Sequence, residues 1–175
     1  RSPSRGLGDV YKRQNLIIPF NPEKKWVGDF QNNDYIKASM GRGKTVSLIK
    51  FINDNNVESA LIISPRVSFG CEIHHKLREG TSKPWVFYKA SNKAELNEAK
   101  FVICSPESLW KTMPIGDKTP QRFQFVLIDE SEAVLTQFGS NDTHSTHHLQ
   151  NLRLFLRYVA CCKAKIVMDL SLIHI

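Results

Sequence analysis

Gly43-Lys44-Thr45 constrains this chain more than any other feature. A short apolar run, Tyr35 and Ile36, enters the turn Ala38-Ser39-Met40-Gly41-Arg42-Gly43, which delivers Lys44 and Thr45 into a segment with helical periodicity. Strand, glycine-bearing turn and helix in that order make a phosphate-binding loop. Glycines let the main chain approach a polyphosphate, and the N–H groups of the helix N-terminus face it. Lys44 then reaches the β- and γ-phosphates, and the Thr45 hydroxyl ligates Mg²⁺. The usual pattern is Gly-x4-Gly-Lys-Ser/Thr. Here Ala38, a small residue, stands at the first position, and Arg42 occupies a place where a small residue is more usual. The bland alternative is a Gly-Lys turn on an ordinary loop.

A loop of this kind requires strands alternating with crossover helices, and the sequence supplies them. Val46, Leu48, Ile49 and Ile52 mark one face of a helix over residues 45–53. Residues 59–64 form a continuous apolar run, as expected of a strand buried on both faces. Residues 66–79 are helix-compatible, 85–88 read as a third strand, 92–100 as a short helix and 101–105 as a fourth strand. Pro106 opens another helix, well placed at its first turn. Residues 113–122 hold two prolines and a glycine and read as a surface loop. Residues 123–128 are a fifth strand, and 138–146 a polar connection. Leu149, Leu152, Phe155, Leu156, Val159 and Ala160 form a helical stripe, and residues 165–169 begin a sixth strand. The alternation implies right-handed crossovers and a mostly parallel sheet. Before all of this, residues 15–33 are a lead-in whose Trp26 and Phe30 are better assigned to packing than to flanking a base.

The second chemical signal is Val126-Leu127-Ile128-Asp129-Glu130. A hydrophobic strand that delivers two acids is what a nucleoside triphosphatase needs opposite its phosphate loop. Asp129 would hold Mg²⁺, and Glu130 would orient and deprotonate the attacking water. Alone, Asp-Glu after an apolar run is a weak signal, and the competing reading is a solvated acidic turn. After a phosphate loop and a βα series it is a strong one.

Both ends read as foreign to this domain. Residues 4–14 match the translation of a transposase-library sequencing adapter, and residues 170–175 match the reverse complement of the same mosaic end. The expected division is therefore an adapter-derived tract over 1–14, the domain over 15–169 and a second adapter tract over 170–175. The first fourteen residues hold four cations against one acid, so without them the net charge falls from +7 to +4. That is a mild basic balance and a weak pointer to nucleic acid.

The four cysteines, Cys71, Cys104, Cys161 and Cys162, make no Cys-x-x-Cys pair and suit free thiols in a reducing, intracellular setting. No apolar run reaches membrane-spanning length, and no membrane partner is expected. His144, His147 and His148 form a His-x-x-His-His cluster that could bind zinc. It lies in a Ser/Thr-rich stretch with no fourth ligand nearby, so a solvated loop is the stronger reading, as it is for His74-His75. Cys161-Cys162 reads as packing.

These residues resemble a family. The stretch Lys37-Ala38-Ser39-Met40-Gly41-Arg42-Gly43-Lys44-Thr45, then Ser64-Pro65-Arg66, then Ser105-Pro106-Glu107-Ser108-Leu109, then Ile128-Asp129-Glu130 with its continuation to Gln137-Phe138, is similar to the herpesvirus-type replication-origin-binding proteins of helicase superfamily 2. The resemblance covers most of residues 35–169. It implies an α/β fold, the N-terminal RecA-like P-loop NTPase lobe of such a motor, with helices on both faces of a mostly parallel sheet. It implies ATP and Mg²⁺ as cofactors, DNA as partner (single-stranded or a replication origin), and location in a nucleus or viral replication site. Ala38 through Thr45 carry over as nucleotide contacts, Thr45 and Asp129 as metal ligands, and Lys44, Asp129 and Glu130 as the catalytic set. Ser64, Arg66 and Ser105 carry over as contacts to the DNA backbone, Arg66 foremost, although a helix-start surface arginine is an equal alternative for it. The family's second RecA-like lobe is missing from this sequence, which implies poor turnover and no unwinding by this lobe alone. Another superfamily 2 translocase, restriction-type or RNA-directed, fits the same motifs. So does a lobe that grips nucleotide or DNA without turnover.

Overall fold

Three uninterrupted apolar runs become the centre of the molecule, because a strand covered on both faces has no polar side to present. In the computed structural model, which describes residues 34–37, 43–114, 123–140 and 145–169, they form β2 (Ala60–Ile63), β4 (Phe101–Cys104) and β5 (Phe125–Asp129), buried at every residue. With β1 (Asp34–Lys37), β3 (Trp85–Phe87) and β6 (Ala164–Asp169) they make a six-stranded sheet in the order β1-β6-β5-β2-β4-β3. Every pairing between them is parallel. All strand C-termini therefore lie along one edge, which is where open α/β sheets place their ligands. The tracts 1–14 and 170–175, the lead-in with Trp26 and Phe30, and the loop residues 115–122 lie outside the described residues.

The helices are α1 (Lys44–Asp54), α2 (Val67–Gly80), α3 (Lys93–Glu98), α4 (Ser131–Gly139) and α5 (His148–Cys161), with 3-10 turns at Pro106–Thr112 and Ser145–His147. From β1 through β2 to β3 the chain steps across the sheet in one direction, and from β3 through β4 and β5 to β6 it steps back. Right-handed crossovers then put α1 and α2 on one face and the remaining helices on the other. The packing agrees: α1 lies on α2, while the Pro106–Thr112 turn packs against α3, α4 and α5.

Local sequence explains the element ends. Asn92 Oδ1 accepts from the Glu95 N–H at 3.0 Å and Glu95 Oε2 accepts from the Asn92 N–H at 3.1 Å, a reciprocal cap that starts α3. In α1 the buried residues are Leu48, Phe51 and Ile52, whereas Val46, expected on that face, is 70% exposed. Two corrections concern the far face. The connection expected from residue 138 is still helix: α4 runs to Gly139, and Phe138 packs on Phe155 with ring centroids 4.9 Å apart. The stripe expected on α5 is rotated. Leu149 and Leu156 are exposed, and Asn151, Leu154, Phe155 and Tyr158 face inward. The reason is polar. Asn151 Oδ1 accepts from the Trp110 N–H at 2.7 Å, its Nδ2 donates to the Glu107 carbonyl at 2.9 Å, and the Tyr158 hydroxyl meets Thr112 Oγ1 at 2.7 Å. A pattern that counts only apolar residues misses a face anchored by an amide and a phenol.

Candidate functional site

Register aligns the chemistry. Ile63 of β2 is level with Cys104 of β4 and with Ile128 of β5. The next residues, Ser105, Ser64 and Asp129, therefore leave the sheet in one row, and Asp129 is level with Met168, which is level with Ile36 of β1. β6 lies between β1 and β5, so the strands feeding the glycine turn and the two acids are separated by two strand spacings, about 10 Å.

Ala38, Ser39, Met40, Gly41 and Arg42 lie outside the described residues. The end of the turn is described. Gly43 has φ 83° and ψ 14° and caps α1, a left-handed conformation that glycine adopts without Cβ strain. Its carbonyl accepts from the Ser47 N–H at 3.0 Å. Lys44 and Thr45 are thus the first two residues of α1, where main-chain N–H groups have no partner within the helix.

On β5, Asp129 is 2% exposed at the strand end. Glu130 follows with φ 50° and ψ 58°, in the left-handed region, which costs a side-chain-bearing residue about 1 kcal/mol. Its carbonyl accepts the first bond of α4, from the Val134 N–H at 3.0 Å. Backbone strain at a residue between strand and helix is a recurrent property of functional positions.

The DNA candidates separate. Arg66 is exposed, and its Nε lies 3.3 Å from Glu130 Oε2. A pair with one partner this exposed contributes at most about 1 kcal/mol. Ser64 and Ser105 are 2% and 1% exposed. The structure puts both hydroxyls inside their turns, so a side-chain contact from either to DNA would require its turn to open. Ser105 instead neighbours Tyr88, whose phenol is raised by burial and partly lowered again by that serine.

The histidines are structural in their contacts. His147 stacks on Trp110 at 4.1 Å, and its Nδ1 is 3.0 Å from Gln150 Oε1. His74, on helix α2 rather than in a loop, lies with Nε2 3.0 Å from the Trp85 carbonyl, and His75 pairs with Glu79 one turn on. His144 lies outside the described residues. Burial pushes the Cys104 thiol far up, with Glu107 adding to the shift, and Cys162 is raised the same way. Both thiols are therefore harder to ionise than a free cysteine. No described helix is long and apolar enough to cross a membrane.

The family described as origin of replication binding protein matches residues 12–174. The chain belongs to that family. It is 29% identical over 138 residues to the replication origin-binding protein of Human herpesvirus 6A (strain Uganda-1102), covering 78% of this chain and 16% of that protein. To the replication origin-binding protein of Human herpesvirus 7 (strain JI) it is 27% identical over 106 residues, covering 60% of this chain and 12% of the relative. The chain thus spans less than a fifth of the length of these relatives. Its fold is similar to the crystal structure of a hypothetical ATP-dependent RNA helicase from Sulfolobus tokodaii, with TM-score 0.56 and 19% identity, covering 80% of this chain and 42% of that one. The fold is that of a RecA-like α/β lobe.

Within this origin-binding family member one further residue joins the site. Gln137, which the sequence offers only as part of a family resemblance, donates from Nε2 to the Pro65 carbonyl at 3.2 Å. It ties α4 to the turn that carries Arg66. Its position two turns into α4, with Val134 and Phe138 turned to the core, is the only sequence signal for that contact, and it appears once α4 is recognised as a helix.

Proposed function

We propose that this chain is the ATP-binding motor lobe of a replication-origin-binding DNA helicase, which hydrolyses ATP to translocate on or unwind DNA. The observation that carries the reading is the placement of β6 between β1 and β5, which sets the Gly43-Lys44-Thr45 helix start and the Asp129-Glu130 turn on one edge of the sheet. The residues fit a nucleotide with its metal. A left-handed glycine precedes the helix, a lysine and a hydroxyl start it, and a buried carboxylate ends the facing strand. Mg²⁺, when bound, supplies charge neutralisation at the phosphates. In this reading Lys44 would hold the β- and γ-phosphates, Thr45 and Asp129 would hold the metal, Gly41 and Gly43 would let the main chain approach, and Glu130 would take a proton from the attacking water. Arg66 reaches a DNA phosphate. The partners are DNA and a second RecA-like lobe, and the setting is intracellular, in a nucleus or at a viral replication site.

A second reading, a lobe that grips nucleotide without turnover, draws on the engagement of Glu130 by Arg66. The test is ATP turnover by the full-length protein carrying this chain, with and without single-stranded DNA. Turnover stimulated by DNA is expected. Glu130→Gln should keep ATP binding and lower turnover about a hundredfold or more. Unchanged turnover removes Glu130 from its role, and tight ATP binding with no turnover in the unaltered protein favours the second reading.

A further inference from the structure

Arg66 and Glu130 sit on different turns, one assigned to the DNA backbone and the other to the attacking water, yet they hold each other. The contact is asymmetric. Glu130 is 12% exposed and turned inward, while Arg66 is 68% exposed and reaches it through Nε. A guanidinium has five N–H donors, and the Nη ends carry four of them, so a second anion can approach the outward part of Arg66 and draw the guanidinium off the acid. A nucleic-acid phosphate carries the same sign of charge as Glu130 and competes with it for one cation. A second contact makes the two turns a unit: Gln137 Nε2 on the Pro65 carbonyl ties the turn after β2 to α4, the helix that Glu130 begins. Glu130 also occupies a left-handed conformation, which persists only where its surroundings hold it, and Arg66 is part of those surroundings.

We propose that Arg66 is a positioning residue for Glu130, holding its carboxylate toward the β2 turn until a single-strand phosphate takes over the guanidinium. Occupancy of the DNA track then releases Glu130 toward the nucleotide. Coupling between two binding events is reciprocal, so loss of the Glu130 charge must in turn free Arg66 for DNA. This rests on the ATPase reading above. It adds a route by which DNA governs hydrolysis without touching the phosphate loop.

The test uses the full-length protein carrying this chain, with Arg66→Ala, Glu130→Gln and the double variant. ATP turnover is measured with and without oligo(dT), and oligo(dT) affinity by fluorescence anisotropy, with inorganic phosphate as a control for free anion. Arg66→Ala should raise DNA-free turnover by up to about fivefold, the ceiling set by the exposed pair, and remove most of the stimulation, at unchanged KM for ATP. Glu130→Gln should tighten oligo(dT) by a similar factor, and the gain should vanish in the double variant. Far-UV circular dichroism confirms the fold of each, since Arg66 is exposed. Intact stimulation in Arg66→Ala, or unchanged oligo(dT) affinity in Glu130→Gln, overturns the coupling. Stimulation of the wild type by inorganic phosphate alone overturns the nucleic-acid source. If the wild type neither binds nor hydrolyses ATP, the ATPase reading fails by itself, and the affinity arm still decides whether Arg66 is shared between Glu130 and DNA.

Discussion

The turns that leave β4 and β5 flank the turn that leaves β2, yet they are held in opposite ways. After β4, the 3-10 turn is satisfied at almost every step. Ser108 donates back to Ser105, Asn151 serves both Trp110 and Glu107, and Thr112 donates to Leu109 and meets Tyr158. After β5, Glu130 adopts a backbone that side chains avoid, and its carboxylate rests on an arginine that is mostly in solvent. One turn is fixed by buried hydrogen bonds, which are costly to break. The other is fixed by a strained residue and a weak ion pair, which are easily rearranged. The same sheet edge thus carries a rigid scaffold beside a turn with competing partners, and the acids assigned to chemistry sit on the second.

The largest effect that would break this contrast comes from Asn151→Leu. It leaves the Trp110 N–H and the Glu107 carbonyl without their side-chain partner inside the protein, a destabilisation of about 2–4 kcal/mol. Urea unfolding measures it, and a loss below about 1 kcal/mol would show that Pro106 and Leu109 hold the turn by packing alone. Glu130→Gly should act with the opposite sign. Relief of the left-handed strain, about 1 kcal/mol, outweighs or cancels the exposed ion pair, so the variant should unfold at equal or higher urea while losing turnover. A marked fall in its midpoint would mean that the Arg66 contact is worth more than its exposure implies.

The smallest effect at neutral pH belongs to the buried thiols and phenols. Burial raises Cys104, Tyr158 and Tyr88, so the native state keeps protons that the unfolded chain releases. The contribution is complete below the unfolded thiol value of about 8.5 and declines as pH rises above it, with the phenols joining near pH 10. Stability should be flat in these groups between pH 6 and 8 and fall at higher pH, and Tyr158→Phe should flatten the fall.

The sheet was legible because its evidence is local. The runs at 60–63, 101–104 and 125–128 are apolar without alternation, and the glycine before Lys44 suits the left-handed backbone it adopts. The orientation of α5 was not legible, because its inward face is decided by Asn151 and Tyr158 bonding to a turn some forty residues upstream. Asp129 and Glu130 could be read from a strand that ends in acids. The Arg66–Glu130 pair could not, since it exists only because β2 and β5 are neighbours in the sheet. For the same reason the burial of Ser64 and Ser105 escapes a motif. A motif reports which residues gather at a strand end, while packing decides which of them reach solvent.

The place of β6 also bears on when the protein becomes competent. It is the last of the described strands, yet it joins β1, the first of them, to β5, with Asp34 opposite Ile166 and Ile128 opposite Val167. As the chain leaves the ribosome, β2, β3, β4 and β5 can pair among themselves, but β1 meets β6, its partner among the described strands, only when residues 164–169 emerge. The Lys44 helix start and the Asp129-Glu130 turn are therefore joined through the sheet only after residues 164–169 have been made. A nascent chain stalled before that strand would lack the link between β1 and β5, an incomplete species exposed to misassociation.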